Sequence, residues 1–388
     1  MRKVCLLGAS GSIGTQTLDV LRKNRADFEL VAFSVGERTR DIHNILRRFP
    51  TVKMVCIKNG KLLNEYKARY PKFKFVSGDE GLLQLIDTDC DMVVNALVGF
   101  VGLKPSLYAL EKNKILALAN KESLVVGGEL INRALRNGSG KLYPIDSEHS
   151  ALMKCLMVDD QNVSKLMLTA SGGAFRNLSR EQLKDVTPEQ ALMHPTWKMG
   201  PKITIDCATM VNKAFEIIEA HYLFNYPVDK IGVKLHDESY VHSYVIYDNG
   251  LIRADIGMPD MRKPIKLALY EFKSEFKTVS VTSLEKFEKK KGCHFHDFDI
   301  NRYPMVKYAE MVINKKDTYG AVFNAVNEEA VKAFLNHEIS FLDIEDIISV
   351  AMKKHQPVRH PDYALIASVD RNARVLAREL IEERRKRA

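Results

Sequence analysis

Short apolar runs alternate with helical segments over the first 145 residues of the chain. The predicted strands are Val4–Leu7, Leu30–Val35, Met54–Ile57, Phe73–Val76, Met92–Leu97 and Ile115–Ala119. A polar–apolar stretch with helical periodicity follows each of them. Because parallel strands need a crossover connection, this alternation is typical of a parallel, doubly wound sheet. We therefore predict a Rossmann-like α/β domain over residues 1–145.

The pattern changes after residue 145. Strand-like runs then lie close together after helical segments, at Leu166–Ala170, Ile231–Leu235, Ser243–Ile246 and Leu251–Ile256. A central α+β catalytic and dimerisation domain with an open sheet is predicted over 146–275, followed by a linker over 276–304 that contains the charged stretch Glu285–Lys291. Only helical periodicity remains over 305–388, which predicts a small bundle. Its predicted helices are Met305–Asn314, Ala321–Leu335, Phe341–Lys353 and Ala364–Arg385.

Charge and cysteine content limit the classes of function. The 388 residues include 58 Lys and Arg against 49 Asp and Glu, a net charge of +9, and these charges are interspersed along the chain. This favours a small anionic substrate and no nucleic-acid partner. Six scattered cysteines without C-x-x-C spacing are typical of reduced thiols in a cytoplasmic protein. No apolar run reaches the roughly 18 residues of a membrane span, so no membrane partner is expected.

A glycine-rich loop, Gly8-Ala9-Ser10-Gly11-Ser12-Ile13-Gly14, lies between the first predicted strand and the helical segment Thr15–Lys23. Glycines let a backbone approach a pyrophosphate closely, and the N–H groups at a helix N-terminus receive its charge. A strand, glycines and a helix in this order favour a dinucleotide site over an ordinary tight turn.

The end of the second predicted strand bears on the choice of dinucleotide. NAD enzymes carry Asp or Glu there for the ribose hydroxyls, whereas an arginine nearby accommodates the 2′-phosphate of NADP. In this chain Gly36-Glu37-Arg38 follows the strand, with Arg40 close behind. Arg38 favours NADPH, and Glu37, which would repel a phosphate, keeps NADH as the alternative.

Asp146 and Glu148 lie two residues apart, where the apolar run Lys141–Ile145 ends and the helical pattern Ser150–Lys154 begins. Two carboxylates at a strand end can face one cleft and hold a hard divalent cation with positions open for substrate. The pair therefore predicts metal-assisted chemistry. Taken alone, the pair fits a solvated turn in which Ser147 caps a helix somewhat better.

Three further segments offer groups to a cofactor or a substrate anion. Asn120-Lys121-Glu122 follows a buried strand at the carboxyl edge of the sheet, where a lysine can meet substrate oxygens, although Asn120 also fits a helix cap. Ser171 opens a Ser-Gly-Gly turn that suits an anion and an ordinary turn equally well. The segment 194–201 contains His194 and the only tryptophan, Trp197, between prolines, so it can close over a substrate.

A helix predicted over Ala208–Phe224 places Asn212, Lys213 and Glu216 on neighbouring rows of one face. The alternative for this helix is a plain surface pair of Lys213 and Glu216. Cys207, at the predicted helix start, lies where a phosphate would be received.

The run Cys293-His294-Phe295-His296-Asp297 contains metal-ligand residue types. Its alternation with Phe295 and Phe298 instead indicates a strand or an extended linker, and the spacing of a zinc site is absent. We do not predict a metal site there.

Taken together, these motifs resemble the 1-deoxy-D-xylulose-5-phosphate reductoisomerase family, an enzyme family of the non-mevalonate isoprenoid pathway. The likeness runs nearly end to end, and several long motifs in one order make it specific. They are GASGSIG (8–14), ALANKES (117–123), PIDSEHSA (144–151), LTASGGAFR (168–176), HPTWKMG (194–200), ATMVNKAFE (208–216), GMPDMRKPI (257–265) and RYP (302–304).

The resemblance implies a homodimer that converts 1-deoxy-D-xylulose 5-phosphate to 2-C-methyl-D-erythritol 4-phosphate with NADPH and Mg²⁺, Mn²⁺ or Co²⁺. By the same resemblance, the metal ligands are Asp146, Glu148 and Glu216, which with Lys121 form the catalytic set. The implied substrate-binding residues are Lys121, Ser147, Glu148, Ser171, His194, Trp197, Cys207, Asn212, Lys213 and Glu216. The implied NADPH-binding residues are Ser10, Gly11, Ser12, Ile13, Gly36, Glu37, Arg38, Asn120, Glu122 and Gly200.

Cys207 departs from the family pattern, because relatives usually carry there a serine whose hydroxyl meets the substrate phosphate, and a thiol is a weaker donor. The main hypothesis is an NADPH- and metal-dependent reductoisomerase of a sugar phosphate. Two alternatives are an NADP-dependent dehydrogenase of another phosphorylated substrate and a nucleotide sensor without catalytic activity.

Overall fold

The computed structural model describes residues 1–157, 162–273 and 293–386. They form two compact units. The first contains residues 1–123, 129–146 and 260–273, and the second contains residues 124–128 and the described residues of 147–259 and 293–386. Part of the predicted linker, residues 276–292 with its charged stretch, lies outside the described residues.

The first unit is built on a parallel sheet of seven strands, six of which correspond to the predicted alternation and the seventh to the apolar run Lys141–Ile145. The strands are β1 (Arg2–Leu7), β2 (Phe28–Val35), β3 (Met54–Ile57), β4 (Lys74–Ser77), β5 (Met92–Asn95), β6 (Ile115–Leu118) and β7 (Lys141–Pro144). Their spatial order is β4-β3-β2-β1-β5-β6-β7, so the chain reverses direction across the sheet between β4 and β5. Ligands bind at such a switch point in open α/β sheets, beyond the carboxyl ends of the strands.

Helices connect these strands, and one returns from later in the chain. They are α1 (Ser12–Lys23), α2 (Ile42–Arg48), α3 (Leu63–Arg69), α4 (Gly78–Ile86), α5 (Leu103–Glu111), α6 (Glu122–Asn137) and α11 (Arg262–Leu269). The backbone of α6 is non-helical at Gly127, where φ is −135° and ψ is 28°.

The second unit contains a mixed sheet of five strands in the order β11-β10-β8-β9-β12. These are β8 (Val163–Ala170), β9 (Ile231–His236), β10 (Val241–Tyr247), β11 (Ile252–Ile256) and β12 (Phe295–Asp297). β8 and β9 run parallel, and the other pairs are antiparallel. The strand β12 lies inside the stretch that the sequence pattern assigns to a linker, and it agrees with the extended conformation predicted for residues 293–297.

The helices of the second unit share one apolar core with its sheet. They are α7 (Ser147–Leu156), α8 (Pro188–Ala191), α9 (Pro201–Thr209), α10 (Val211–Phe224), α12 (Lys307–Lys315), α13 (Tyr319–Leu335), α14 (Phe341–Lys354) and α15 (Tyr363–Arg385). The Phe215 ring on α10 meets the edge of Phe323 on α13 at 5.1 Å, and Phe175 meets Phe341 on α14 at 5.1 Å. The C-terminal helices are therefore held by the same core as the site helix α10.

The predicted fold class, a doubly wound parallel sheet followed by an open sheet and C-terminal helices, is confirmed. The predicted domain limits stay predictions. Among the described residues, no helix is long and apolar enough to cross a membrane.

Candidate active site

The glycine-rich loop lies between β1 and the N-terminus of α1, where the backbone has no room for larger residues. Gly8 has a φ of +85°, and a Cβ there would lie 2.5 Å from the Ala96 carbonyl oxygen. A Cβ at Gly14 would lie 2.1 Å from the Gly8 carbonyl oxygen. The Gly8 N–H donates to Ser34 Oγ at 2.8 Å, which ties the loop to β2. This tight cradle at a helix N-terminus fits the pyrophosphate of a dinucleotide.

The remaining predicted NADPH-binding residues of this loop and of the β2 end also belong to the first unit. Ser10 is buried, and Gly11 is the N-cap residue of α1. Glu37 and Arg38 are exposed just beyond β2. A Cβ at Gly36 would meet nothing within 4 Å, so the backbone there borders open space.

The loop after β6 combines a structural amide with a charged pair. The Asn120 side chain donates to the Leu97 and Gly99 carbonyl oxygens at 3.1 and 3.0 Å and accepts from the Ser123 N–H at 3.1 Å. Asn120 therefore accepts from an N–H group in the first turn of α6, although Lys121 is the N-cap residue of this helix. Beside it, Lys121 Nζ lies 2.6 Å from Asp146 Oδ2, and each side chain is only 9% exposed.

Three carboxylates meet in the way that the sequence predicts for a metal site. Asp146, Glu148 and Glu216 each offer an oxygen, and these oxygens all lie within 4.8 Å of one another. Asp146 and Glu148 flank the first residue of α7, and Glu216 lies one turn into α10. Oxygen ligands at such separations suit a hard divalent cation.

Residues of α10 orient Glu216 and balance its charge. Asn212 Nδ2 donates to Glu216 Oε1 at 2.5 Å, and the Lys213 ammonium donates to Glu216 Oε2, as their helical spacing predicts. Lys213 Nζ also donates to the Thr169 carbonyl oxygen at 2.5 Å and lies 3.4 Å from Glu148 Oε1. Since nearly buried carboxylates need cations beside them, this donor set fits a divalent metal ion.

Ser171 and His194 form a neutral hydrogen-bonded pair. Ser171 Oγ lies 3.0 Å from His194 Nε2, and His194 Nδ1 accepts from the backbone N–H groups of Thr196 and Trp197 at 3.3 and 3.0 Å. Burial, with a smaller effect of the Arg176 charge, lowers the pKa of His194 to about 4. An imidazole that accepts at Nδ1 carries its proton on Nε2, so Nε2 donates to Ser171.

The segment around Trp197 contacts β10 and the turn that precedes it. The Trp197 ring lies 6.2 Å from the His242 ring, and Thr196 Oγ1 lies 3.2 Å from Ser239 Oγ. Gly200 ends the segment as the N-cap residue of α9. The Trp197 segment (residues 194–200) is therefore tied to the turn by a hydrogen bond and to β10 by a ring contact.

The predicted position of Cys207 at a helix start is wrong. Cys207 lies near the C-terminal end of α9, and Met210, with a φ of +62°, separates α9 from α10. The sequence predicts one helix from Ala208 because no glycine or proline marks the break. Cys207 is partly exposed and lies four residues before α10, so a helix N-terminus does not account for phosphate binding there.

Two buried residues beside the carboxylates are absent from the sequence-based prediction. His149 Nδ1 lies 3.3 Å from Glu219 Oε2, and His149 Nε2 donates to the Glu216 carbonyl oxygen at 2.9 Å. Asp146, His149 and Glu219 form a second group whose ligand atoms lie within 4.8 Å of one another. The available signal was helical spacing, because Glu219 follows Glu216 by one turn and faces the same side.

The cysteine–histidine run at 293–297 is engaged with the turn after β9. His294 Nδ1 lies 2.5 Å from Glu238 Oε1, and His296 Nε2 lies 3.3 Å from Asp237 Oδ2. Within the described residues, the groups of three metal-ligating side chains include no member of this run.

Comparison with known proteins supplies the family. Models of 1-deoxy-D-xylulose 5-phosphate reductoisomerase match residues 4–128, and models of its C-terminal domains match residues 142–224 and 256–376. Relatives from Halalkalibacterium halodurans and Geobacillus kaustophilus carry the same name and are 42% and 44% identical over 388 and 386 residues. Each alignment covers 98% of this chain and 100% of the relative.

This chain belongs to the 1-deoxy-D-xylulose 5-phosphate reductoisomerase family. Among solved structures of that family, the Zymomonas mobilis enzyme in complex with NADPH is 36% identical, with a TM-score of 0.88 and coverage of 98% of this chain and 99% of that one. A reductoisomerase in complex with NADPH, fosmidomycin and magnesium is 31% identical, with a TM-score of 0.91 and coverage of 98% of both chains. The resemblance inferred from the motifs is thereby confirmed.

Proposed function

We propose that this chain converts 1-deoxy-D-xylulose 5-phosphate to 2-C-methyl-D-erythritol 4-phosphate with NADPH and a divalent cation, in non-mevalonate isoprenoid precursor synthesis. The observation that carries the proposal is the meeting of Asp146, Glu148 and Glu216 within 4.8 Å in a member of this family. The two solved relatives contain NADPH, and one also contains magnesium.

The cofactors would be held by groups already described. The glycine loop and the β2 end would bind NADPH, which supplies the hydride. The three carboxylates would hold Mg²⁺, Mn²⁺ or Co²⁺, which stabilises negative charge on substrate oxygens when bound. The position of the Lys121 ammonium, 2.6 Å from Asp146, supports its role beside the same oxygens.

The substrate phosphate would be received by neutral and cationic donors of the second unit. Ser171 and His194 supply hydroxyl and imidazole donors, and Asn212 and Lys213 supply amide and ammonium donors. Glu148, 19% exposed, is the carboxylate that we assign to moving the substrate hydroxyl proton. Closure of the Trp197 segment would exclude water from the reaction.

A coupled assay tests this function. Adding 1-deoxy-D-xylulose 5-phosphate and Mn²⁺ should consume NADPH, and removal of the metal with a chelator should stop consumption. Analysis of the product separates the proposal from a dehydrogenase, because simple reduction without skeletal rearrangement would exclude it. NADPH binding without any consumption would favour the nucleotide sensor instead.

We also propose that the chain forms a homodimer in which the β11 edge strands of the two subunits lie side by side. β11 is an edge strand of the described sheet, and Ile252 and Ile256 on one face of it are 57% and 53% exposed. An exposed apolar edge strand favours pairing with another chain.

The six cysteines are all free thiols, which supports the cytoplasmic location predicted from the sequence.

A further inference from the structure

The acidic residue at the end of β2 is paired with a cation from the neighbouring strand. Glu37 Oε1 lies 2.9 Å from Lys58 Nζ. Lys58 follows β3 immediately, and the register of the two parallel strands places Val35 beside Ile57. The next residues of both strands therefore leave the sheet side by side, and the Lys58 N–H donates to the Val35 carbonyl oxygen at 3.2 Å.

Backbone hydrogen bonds order the loop after β2. The Thr39 N–H donates to the Glu37 carbonyl oxygen at 3.0 Å, and Arg38 is the N-cap residue of a short 3₁₀ helix, Thr39–Asp41. The Arg38 guanidinium is exposed and makes no ion pair with any described residue. Glu37 is thus paired with Lys58, although both side chains are largely exposed, at 76% and 71%, while Arg38 is available to a ligand.

In a doubly wound fold, this position decides between the two nicotinamide cofactors. An acid beyond β2 hydrogen-bonds the ribose hydroxyls of NADH and repels the 2′-phosphate of NADPH. An unpaired Glu37 would oppose Arg38 in just this way. A nearby ammonium cancels that repulsion, because it removes the net charge of the acid from the phosphate site.

We propose that Lys58 sets the cofactor preference of this enzyme: its ammonium neutralises Glu37, so that Arg38 can receive the 2′-phosphate of NADPH. The inference rests on the proposed function for the identity of the cofactor. It assigns a specificity role to the residue that follows β3, outside the glycine loop and the β2 end. Lys58 is a positioning residue in this scheme, since it acts through Glu37.

Direct binding tests the role of Lys58 without relying on turnover. Affinities for NADPH, NADH, adenosine 2′,5′-bisphosphate and 5′-AMP would be measured by isothermal titration calorimetry on the full chain. Lys58→Gln should weaken NADPH and adenosine 2′,5′-bisphosphate by about 3- to 10-fold at low salt and leave 5′-AMP unchanged. NADH should bind equally well or more tightly, because the freed Glu37 can reach the ribose hydroxyls.

Lys53→Gln is the matched control. Lys53 is an exposed lysine that immediately precedes β3, roughly 16 Å from Lys58 at about 3.3 Å per residue, and its removal changes the net charge equally. We expect no change of preference in this variant. An equal loss of NADPH binding in both variants would mean that only the overall charge matters and would overturn the proposal.

The double variant Glu37→Gln/Lys58→Gln separates neutralisation from direct contact. If Lys58 acts by neutralising Glu37, removing both charges restores NADPH binding close to that of the parent chain. A double variant as weak as Lys58→Gln would overturn the proposal and point to direct contact between Lys58 and the phosphate. A parent chain that binds NADPH but does not consume it with substrate would contradict the proposed reaction and leave the binding comparison valid.

Discussion

Glu216 is the residue on which the candidate metal site depends most, because it is the carboxylate that α10 contributes to the group with Asp146 and Glu148. We expect Glu216→Gln to lower kcat by more than about 100-fold, since it removes one of the three negatively charged carboxylates that would hold the metal. NADPH affinity should stay near normal, because the glycine loop is built without Glu216. Steady-state kinetics and NADPH titration check both points, and an equal loss of cofactor binding would mean that the role of α10 is misassigned.

Cys207 is the one predicted phosphate contact that differs chemically from its relatives. A hydroxyl is a better donor to a phosphate than a thiol, so Cys207→Ser should lower the KM for the substrate by about 3- to 10-fold with little change in kcat. Cys293→Ser serves as the control. It changes a partly exposed thiol two residues before β12 and should alter neither kcat nor KM. An unchanged KM in Cys207→Ser would place the phosphate elsewhere.

At the scale of elements, the Trp197 segment depends on a neutral His194. Its pKa is lowered to about 4 by burial, against about 6.5 in the unfolded chain. The unfolded state therefore takes up the proton first, so the contribution of His194 to stability is complete above pH 6.5 and falls as the pH drops toward 4. Protonation would also end the acceptance of the Thr196 and Trp197 N–H groups at Nδ1.

Histidine-selective NMR titration checks this pKa, with His194→Gln used to assign the resonance. The His194 signal should remain that of a neutral ring at pH 5.5. A signal that titrates near pH 6.5 would contradict the buried pair with Ser171 and the two backbone bonds to Nδ1. Binding of the phosphate substrate should raise this pKa, because a nearby anion favours the imidazolium.

A second element-scale prediction concerns Glu271, which attaches the α11 segment to the first sheet. Its side chain is 3% exposed and contacts Arg2, Lys273 and Lys141 at 2.5, 3.2 and 3.5 Å. Burial alone would raise the pKa of Glu271, but Lys273 and Arg2 outweigh it and the pKa is lowered. Removing the charge leaves these cations without their acceptor.

We expect Glu271→Gln to destabilise the first unit by ~2 kcal/mol. This is less than the cost of breaking a fully buried ion pair, because the cations around Glu271 are partly exposed. Differential scanning calorimetry would record this as a lower unfolding temperature. Glu80→Gln removes an exposed pair with Lys104, in which the Glu80 side chain is 74% exposed, and should cost less than about 0.5 kcal/mol. Equal effects of the two substitutions would argue against the Glu271 cluster as an attachment point.

The sequence predicts those elements whose local pattern agrees with their final packing. The parallel strands of the first unit and the helices α12 to α15 follow from periodicity, with ends shifted by a few residues. β12 is difficult to predict because it has three exposed residues and exists only by pairing with β9. The break at Met210 has no sequence signal, since a methionine rarely adopts the left-handed conformation that it has here, with a φ of +62°.

The candidate site divides in the same way. Asp146, Glu148 and Lys121 are predictable because each follows a strand at the carboxyl edge, where ligands bind. His149, Glu219 and Lys58 are not, because their roles depend on which side chain of another element lies opposite them. Such pairings need the register and the packing as well as the motif.

At the scale of the whole molecule, the proposed dimer depends on the edge strand β11. The double variant Ile252→Glu/Ile256→Glu places charges on its exposed apolar face, and we expect it to convert a dimer of twice 44.0 kDa into a monomer. Analytical ultracentrifugation measures this change. Val375→Glu, at an apolar position that is 53% exposed on α15, should leave the dimer intact, and a monomeric parent chain would refute the assembly.

The first unit is assembled from separated stretches of chain, and its last stretch ends near residue 273. That stretch carries Tyr270, whose ring meets the edge of Phe28 at 4.9 Å, and Arg262, whose Nε donates to Asp19 at 2.9 Å. During synthesis on the ribosome, the first unit therefore cannot be completed until more than a hundred residues of the second unit have been translated. A fragment that stops at residue 146 would leave the Phe28 face uncovered, which makes expression of this half alone prone to aggregation.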